Sequence, residues 1–478
     1  MKPQVQFLSQ DEISRIHQAS LRILRETGMR FPAEEALDIF RSAGAEIVGQ
    51  DTVRIPEHLV ASAIESAPKR GDVVLYGRDR GHDVNFRSHQ PSLACMTMAT
   101  SVIDPYTGRK RPATDEDLAR LTRMADQLAC IAVNGGPVTP QEVPGATNDW
   151  YTWATTIKNT TKHITGGVYG YRGVLDAIEM GALAAGGKAA FLERPFISGW
   201  VLTLPPLGCD TASTEAMIEM NRHKIPIMLS SGPILGTTAP VTIAGCLAQA
   251  HAEILACITL SQLVNPGAPV VYTSFARGMN MKTSNISMGG PEFAVLKAAM
   301  SQLGLSLDLP IRMPAMLRDA KVLDAQAGFE TGVVGTLSSF AADIMDAMQL
   351  DTDLVVDYPD MIFCNDCMAF IRHALRDLVV DDDTLALECI DEIGPGGNFL
   401  GHQHTFKNFR KELWHSDLFD HNNWERWEQM GAKDIRAAAM DKVHAMLEAP
   451  AEPLLPADVE ASIDDIARKA TADGAGSE

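Results

Sequence analysis

The stretch Leu309–Glu330, LPIRMPAMLRDAKVLDAQAGFE, decides the fold. Its run from Ile311 to Leu317 is short and mostly apolar. It then breaks into Arg318, Asp319 and Lys321, followed by Asp324, Gln326 and a helix start containing Gly328. A strand that ends in charged and amide groups and feeds a helix is what an α/β barrel places at its catalytic rim. The same punctuation recurs on both sides. Strands are expected at Leu93–Met98, Ile131–Val133, His163–Val168, Phe196–Leu204, Ile225–Leu229, Val270–Phe275, Ile311–Leu317 and, as an eighth, Ile344–Met348. Helices are expected between them, at Asp115–Leu128, Trp150–Lys158, Tyr171–Ala184, Thr211–Arg222, Pro240–Leu263, Pro291–Leu303 and Gln326–Phe340. Near-continuous apolar strands alternating with helices imply a parallel sheet covered on both faces. Seven or eight such units over ~260 residues predict a TIM (β/α)8 barrel. A doubly wound nucleotide-binding sheet needs a G-x-G-x-x-G after an early strand, which neither Gly135-Gly136 nor Gly166-Gly167 supplies.

Three regions follow: an N-terminal α/β cap over residues 1–90, the barrel over 91–350, and a C-terminal helical and loop extension over 351–478 that packs on the barrel. The cap opens with a capping box, Ser9-Gln-Asp-Glu12, ahead of a helix with Ile13, Ile16, Ile23 and Leu24 on its apolar side. Trp414, Trp424 and Trp427 mark packing in the extension.

The formal charge is -20. A nucleic-acid-binding surface needs a basic face, so that class of partner is excluded. An acidic balance suits a cationic substrate, although solubility alone explains it as well. No uninterrupted apolar run reaches ~18 residues, so no membrane span is expected. The start MKPQVQFLSQDEISRIH lacks the apolar core of a secretion signal, and the expected location is cytoplasmic. Eight cysteines scattered among apolar neighbours read as reduced core thiols. Cys364-Asn-Asp-Cys367 has no second pair to complete a zinc site and is expected on a buried helix face.

Several residues could carry chemistry. Aromatic rings stand at presumed strand ends: Tyr169 and Tyr171 after the third, Trp200 in the fourth, Tyr272 and Phe275 in the sixth. Such rings hold a quaternary ammonium by cation–π attraction, although core packing explains each ring singly. His163, beside Lys162, is a candidate acid/base group, with a structural histidine as the alternative. Asp319 and Gln326 belong to the densest polar cluster at a strand exit. His402 and His404 could be two metal ligands lacking a third, or part of a hydrogen-bonding loop. Gly396 and Gly397, in a Gly-Pro-Gly-Gly turn after a helix, would let backbone approach a flat ligand. No Ser-His-Asp elbow and no H-E-x-x-H is present.

These segments also resemble a known family. FLSQDEISRIHQASLRILRETGMRF, VRIPEHLV, RPATDEDLARL, NTTKHITGG, AHAEILACITLSQLVNPGAPVVY, GGPEFAVLKAAMSQL, the 309–330 stretch and EIGPGGNFLGHQHTFKNFRKELW, in that order, resemble the trimethylamine methyltransferase superfamily, the MttB-like proteins. The resemblance implies a TIM barrel that moves a methyl group from a methylated amine to the cobalt of a separate corrinoid protein. Founding members carry pyrrolysine; this chain has only the standard residues and resembles the members without it. Those relatives demethylate quaternary amines such as glycine betaine, proline betaine or carnitine. The candidate catalytic residues are His163, Asp319 and Gln326, although methyl transfer from a quaternary amine needs no proton abstraction, so the resemblance implies that Asp319 and Gln326 shape the loop and orient the donor; the candidate substrate contacts are Trp200, Tyr272, Phe275, Arg277 and Met345. Gly396, Gly397, His402 and His404 would approach the cobalamin, and no metal would be bound directly. Met345 stands where the family's pattern leads one to expect histidine, which points to an altered substrate. Assembly with further copies of the chain is expected. Methyl transfer without a corrinoid, metal-assisted chemistry and a non-catalytic amine-binding barrel are the alternatives.

Overall fold

The computed structural model describes residues 5–87, 90–95 and 99–474. Eight parallel strands close a barrel: β1 Ser92–Cys95, β2 Ile131–Asn134, β3 His163–Gly167, β4 Ile197–Leu202, β5 Ile227–Ser231, β6 Val270–Ser274, β7 Ile311–Leu317 and β8 Ile344–Gln349. They pair in sequence order, and β8 closes on β1. All eight expected strands are present, each displaced at its ends by no more than a few residues; Met96–Met98 of the first lie outside the described residues. Helices join each strand to the next, including Asn148–Asn159 after β2, Thr211–Arg222 after β4, Ile243–Val264 after β5 and Ala325–Ser339 after β7. A parallel strand pair needs such a crossover, and the helices bury the outer face of the sheet.

Side-chain alternation sorts each strand into an inner and an outer set. Ala94, Val133, Met228, Val271 and Ile344 form an inner apolar cluster with Val73, Leu75 and Phe86 from the N-terminal region. That region supplies a two-stranded hairpin, Val74–Leu75 with Val84–Asn85, which stoppers the barrel at the N-terminal ends of its strands. The stopper is pinned by the buried ring of His163, which contacts the Tyr76 carbonyl at 2.9 Å, and by an Arg70–Asp343 ion pair.

The N-terminal region also holds helices Gln10–Arg22, Glu34–Ser42 and Glu57–Ser66 around a three-stranded antiparallel sheet. Its capping box forms as expected, with Ser9 and Glu12 bonded reciprocally. One apolar cluster runs without a break from Ile13 through the barrel wall to Ala467, so cap, barrel and most of the extension share a core.

One helix has the length and hydropathy of a membrane span but lies inside the protein. Ile243–Val264 is long and apolar enough to cross a membrane, with a mean hydropathy of 1.5 over its most apolar window, yet 83% of that window is buried within the protein. It also carries buried Gln249, His251, Glu253 and Gln262, each hydrogen-bonded to protein groups. It is the central helix of the barrel wall, uniformly apolar because protein surrounds it on all sides.

Candidate functional site

A cavity of about 400 Å³ opens at the C-terminal ends of β1 to β4. This is the end at which barrels carry their chemistry. Its floor is Arg312, the second residue of β7, which is 1% exposed. The guanidinium lies 4.5 Å from the Trp200 ring of β4. Its Nε and Nη2 donate to Asp346 Oδ1 of β8 at 3.1 and 2.5 Å. Nη1 of Arg312 and Oδ2 of Asp346 find no hydrogen-bond partner among the described residues. A buried guanidinium with an unused donor is costly unless something occupies it.

The upper wall comes from helix Asn148–Asn159, which contributes Asn148, Asp149, Thr152, Trp153 and Thr156. Trp153 donates its indole N–H to the Gly167 carbonyl at 2.9 Å, which locks the helix onto β3. That approach requires Gly166, because a Cβ there would lie 2.7 Å from the Trp153 ring. Asp149 sits in the first turn of the helix, and among the described residues its carboxylate has no hydrogen-bond or ion-pair partner. Burial pushes its carboxyl up to about 6. Tyr169, at the exit of β3, stands close by and is 52% exposed. Burial, with the nearby carboxylates of Asp149 and Asp210 adding to it, raises the Tyr169 phenol. Asp210 lines the cavity from β4's side while capping the next helix through the Ser213 N–H at 2.7 Å.

A carboxylate hub fixes that side of the cavity. Glu253, inside helix Ile243–Val264, accepts from Thr203 Oγ1 at 2.6 Å, Leu207 N at 2.9 Å, Ser231 Oγ at 2.7 Å and Gln249 Nε2 at 3.0 Å. Burial raises its carboxyl against the pull of these four donors. The hub ties the β4 exit, which carries Leu202, Leu204 and Asp210, to the end of β5.

The cavity gathers few of the residues singled out by sequence. Trp200 is in it. Tyr272 is fully buried on the outer side of β6, its hydroxyl 2.8 Å from His251 Nδ1. Phe275 is buried at the end of β6 beneath Arg277 and near the ammonium of Lys297. Arg277 donates to the Phe275 carbonyl at 3.3 Å, and neither residue lines the cavity. Met345 faces the helical layer, because its neighbours Ile344 and Asp346 take the inner face of β8.

The acid/base candidates are engaged structurally. His163 starts β3 near the stopper, its Nε2 2.9 Å from Ser198 Oγ, and burial pushes its imidazolium down to about 4. Asp319 accepts from Ser287 Oγ and Met288 N at 2.6 and 2.7 Å. Gln326 donates to Glu330 at 2.6 Å, and Glu330 in turn accepts the Asp319 N–H at 2.9 Å. The polar cluster of the 309–330 stretch therefore consumes its own groups in holding the β7 loop. Arg318 is likewise spent on a buried fork-to-fork pair with Asp360.

Gly396, Gly397, His402 and His404 do not line the cavity. They belong to a segment that leaves the barrel beyond helix Tyr358–Ala374. The C-terminal turn of that helix is fixed at the stoppered end by a 2.6 Å bond from Arg372 to the Pro91 carbonyl, one residue before β1. His402 caps helix Gln403–Glu412, with its Nδ1 accepting the His404 N–H at 3.1 Å and its Nε2 3.2 Å from Glu392. Among the described residues no three His, Cys, Asp or Glu side chains are grouped to hold a metal. Cys364 is buried on its helix beside Asp360, and all eight cysteines are free thiols.

Residues 1–474 match the sequence family described as Trimethylamine methyltransferase (MTTB). The chain belongs to the trimethylamine methyltransferase family. Within this family it is 33% identical over 443 residues to the trimethylamine methyltransferase MttB of Desulfitobacterium hafniense (strain DSM 10664 / DCB-2), covering 92% of this chain and 89% of the relative. It is 28% identical to the glycine betaine methyltransferase of Desulfitobacterium hafniense (strain Y51), covering 96% and 97%. The family fold is shared with the monomethylamine methyltransferase MtmB of Methanosarcina barkeri, with a TM-score of 0.51 at 12% identity over 98% of this chain and 88% of that one. In this trimethylamine methyltransferase family member the cavity lies at the C-terminal ends of the strands, the end at which barrels carry their active sites.

Sequence reading missed Asp149, Trp153, Arg312 and Asp346. Arg312 and Asp346 had a visible signal: each is a charge inside a strand whose other residues are apolar, and a charge is buried only when paired or used. Asp149 had none, because a helix-start aspartate is ordinarily a solvated favourable charge.

Proposed function

We propose that the protein takes a methyl group from a quaternary amine bearing a carboxylate, a betaine, and passes it to the corrinoid of a carrier protein. The observation that carries this reading is one cavity holding an unpaired carboxylate among aromatic rings, with the Arg312 guanidinium at its floor. Asp149, with the faces of Trp153, Tyr169 and Trp200, suits a permanent cation, each ring adding about 0.5–2 kcal/mol. The Arg312 guanidinium suits the carboxylate at the other end of the same small molecule. With the acid group down at Arg312 and the ammonium up at Asp149, the methyl groups face the mouth. The names of the MttB and glycine betaine relatives support a methylated amine as donor.

A quaternary nitrogen leaves as a neutral amine, so the chain need not move a proton. That agrees with the neutral, structurally bonded state of His163. The residues instead bind, orient and exclude water, and orientation alone supplies a large rate factor. The reduced cobalt of a corrinoid supplies the nucleophile that accepts the methyl. The rim offers it a landing surface: Tyr169, Leu204, Val241 and Met281, each on a different strand exit, are 52%, 55%, 66% and 71% exposed. The glycine loop with His402 and His404 does not fit this task, being at the opposite end of the barrel. Eight free thiols suit a reducing, cytoplasmic setting.

The test supplies a reduced corrinoid carrier with glycine betaine, carnitine, tetramethylammonium or trimethylamine and follows methylation of the carrier by its absorbance. Turnover is expected with a carboxylate-bearing quaternary amine, and is expected to weaken when the carboxylate is absent. Absence of turnover with every methylated donor refutes the reading.

A further inference from the structure

Residues 376–413 form an arm that leaves helix Tyr358–Ala374 at its C-terminal end and returns to pack on the same helix. The return is marked by the Trp414 ring 5.2 Å from Phe370 and by a 2.6 Å bond from Ser416 to Asp366. Cys389, in helix Leu387–Ile393, is the one buried residue of the arm, at 8% exposed. Its Sγ lies 3.2 Å from Nδ1 of His402, the residue that caps helix Gln403–Glu412. The other ring nitrogen, Nε2, lies 3.2 Å from Oε2 of Glu392, one turn along the helix that carries Cys389. The His404 N–H donates to the same Nδ1 at 3.1 Å. A backbone N–H can only donate, so Nδ1 carries the lone pair and Nε2 the proton. The tautomer fixes the other roles: the thiol donates to Nδ1, and Nε2–H donates to the carboxylate. Thiol, imidazole and carboxylate therefore stand in a line, with the base in the middle. Metal ligands converge on a point, whereas a nucleophile beside a base that a third group orients is the arrangement of an activated thiol.

The other seven cysteines differ in setting. Burial pushes the Cys95, Cys246 and Cys364 thiols up to about 12 and raises those of Cys130 and Cys367. Cys209 is raised by its 3.8 Å contact with Cys257 and by burial. Among the described residues, Cys389 alone has its sulfur bonded to a histidine.

We infer that Cys389 is a modification site, an activated thiol that exchanges with small disulfides. In that step His402 Nδ1 takes the thiol proton as Cys389 Sγ attacks one sulfur of the disulfide. The new S–S bond forms as the old one breaks, and the leaving sulfur takes the proton from His402. Cys389 is oxidised to a mixed disulfide and the other half of the reagent leaves as a reduced thiol, so no further oxidant is needed. The arm admits the reagent. None of its residues joins the apolar cluster that unites cap, barrel and extension, and Leu387 and Ile390, flanking Cys389, are largely exposed. Small local openings that bare the sulfur thus break few contacts. The inference rests on this cluster alone and not on the methyl donor.

Hydroxyethyl disulfide, a small neutral disulfide, tests it. The full chain is reacted with it at neutral pH, folded and in urea, and the rate at each thiol is read by peptide mass mapping. Urea presents Cys389 fully exposed and without its base. A free thiol is only about 3% thiolate at about pH 7, so a base can raise its rate up to roughly 30-fold, and burial works against that gain. Folded Cys389 is expected to react faster than unfolded Cys389, while the other seven react more slowly folded than unfolded. A structural thiol gives the reverse, because burial without a base only slows exchange. A folded rate at or below the unfolded one overturns the inference. His402→Asn keeps a side chain that caps a helix and removes the base. It is expected to abolish the folded-state acceleration and leave the rate in urea unchanged; an acceleration that survives in the folded variant also overturns the inference. Should the variant disturb the arm, the wild-type comparison decides alone.

Discussion

Replacing Asp149 by asparagine removes the one unpaired carboxylate from the cavity while keeping its volume. A permanent cation ~5 Å from an ionised carboxylate gains about 3 kcal/mol at an effective dielectric of ~20, roughly a hundred-fold in Kd. Asp149→Asn is therefore expected to bind glycine betaine or tetramethylammonium 30- to 300-fold more weakly, a range set by the ~2-fold context dependence of such energies. The cavity tryptophans provide the readout by fluorescence, with calorimetry as the check. Burial holds the carboxyl at about 6, so the wild-type affinity has a predictable pH course. Above that value the site is ionised and binding is flat. Below it a proton must be expelled, and affinity falls about ten-fold per pH unit. The variant is flat throughout. Stability moves in the opposite direction. A carboxyl raised by burial contributes stability that is present below its unfolded value near 4 and is lost as pH rises through its folded value. Two units correspond to about 3 kcal/mol at most, and about 1–2 kcal/mol after discounting for solvent access. Asp149→Asn should therefore melt higher than wild type at pH 8 and alike at pH 4. A variant that binds quaternary amines within a factor of about three of wild type, or a wild type whose affinity is flat between about pH 5 and 7.5, refutes the assignment of the cation end.

Arg312→Met strands the Asp346 carboxylate in the barrel and is expected to cost about 3–5 kcal/mol in urea unfolding; adding Asp346→Asn recovers most of it. Arg312→Lys, which lacks the second fork, should weaken glycine betaine at least ten-fold relative to tetramethylammonium in paired titrations. Glu253→Gln turns an acceptor of four hydrogen bonds partly into a donor. A loss of about 2–3 kcal/mol in denaturant midpoint analysis is expected, with faster proteolysis of the 203–210 loop. Gly166→Ala sets a methyl 2.7 Å from the Trp153 ring. The helix must then lift, at about 1–3 kcal/mol, and ligand affinity should fall while the fold survives by circular dichroism.

The barrel was legible in the sequence because parallel strands buried on both faces are short apolar runs, and eight of them were separated by helix-length segments. The same property hid the site. Alternation inside a uniformly apolar strand leaves no polar–apolar rhythm, so nothing in DIMD says that Asp346 rather than Met345 faces the lumen. In the 309–330 stretch the eye goes to Arg318, Asp319 and Gln326, which are bonded to Asp360, to Ser287 and Met288, and to Glu330, while Arg312, embedded in the strand, reaches the cavity. Tyr272 follows inward-facing Val271 on β6 and so faces the helical layer, while Phe275, one residue past the strand, is covered by Arg277 and Lys297. The family-signature loop ending in His402 and His404 drew attention as a cofactor site, and its place at the far end of the barrel was a property of the tertiary fold that no local pattern encodes.

The hairpin that stoppers the barrel through Val73, Leu75 and Phe86 makes the cavity a vessel with a single opening. Traffic through one opening has a compulsory sequence. On the proposed reading, the amine would enter before a carrier covers the mouth, and the demethylated product would wait until the carrier has gone. Steady-state kinetics should then show an ordered mechanism, with excess carrier inhibiting by sealing empty enzyme. Opening the stopper with small residues at Leu75 and Phe86 should relieve that inhibition, unless the loss of packing unfolds the barrel first.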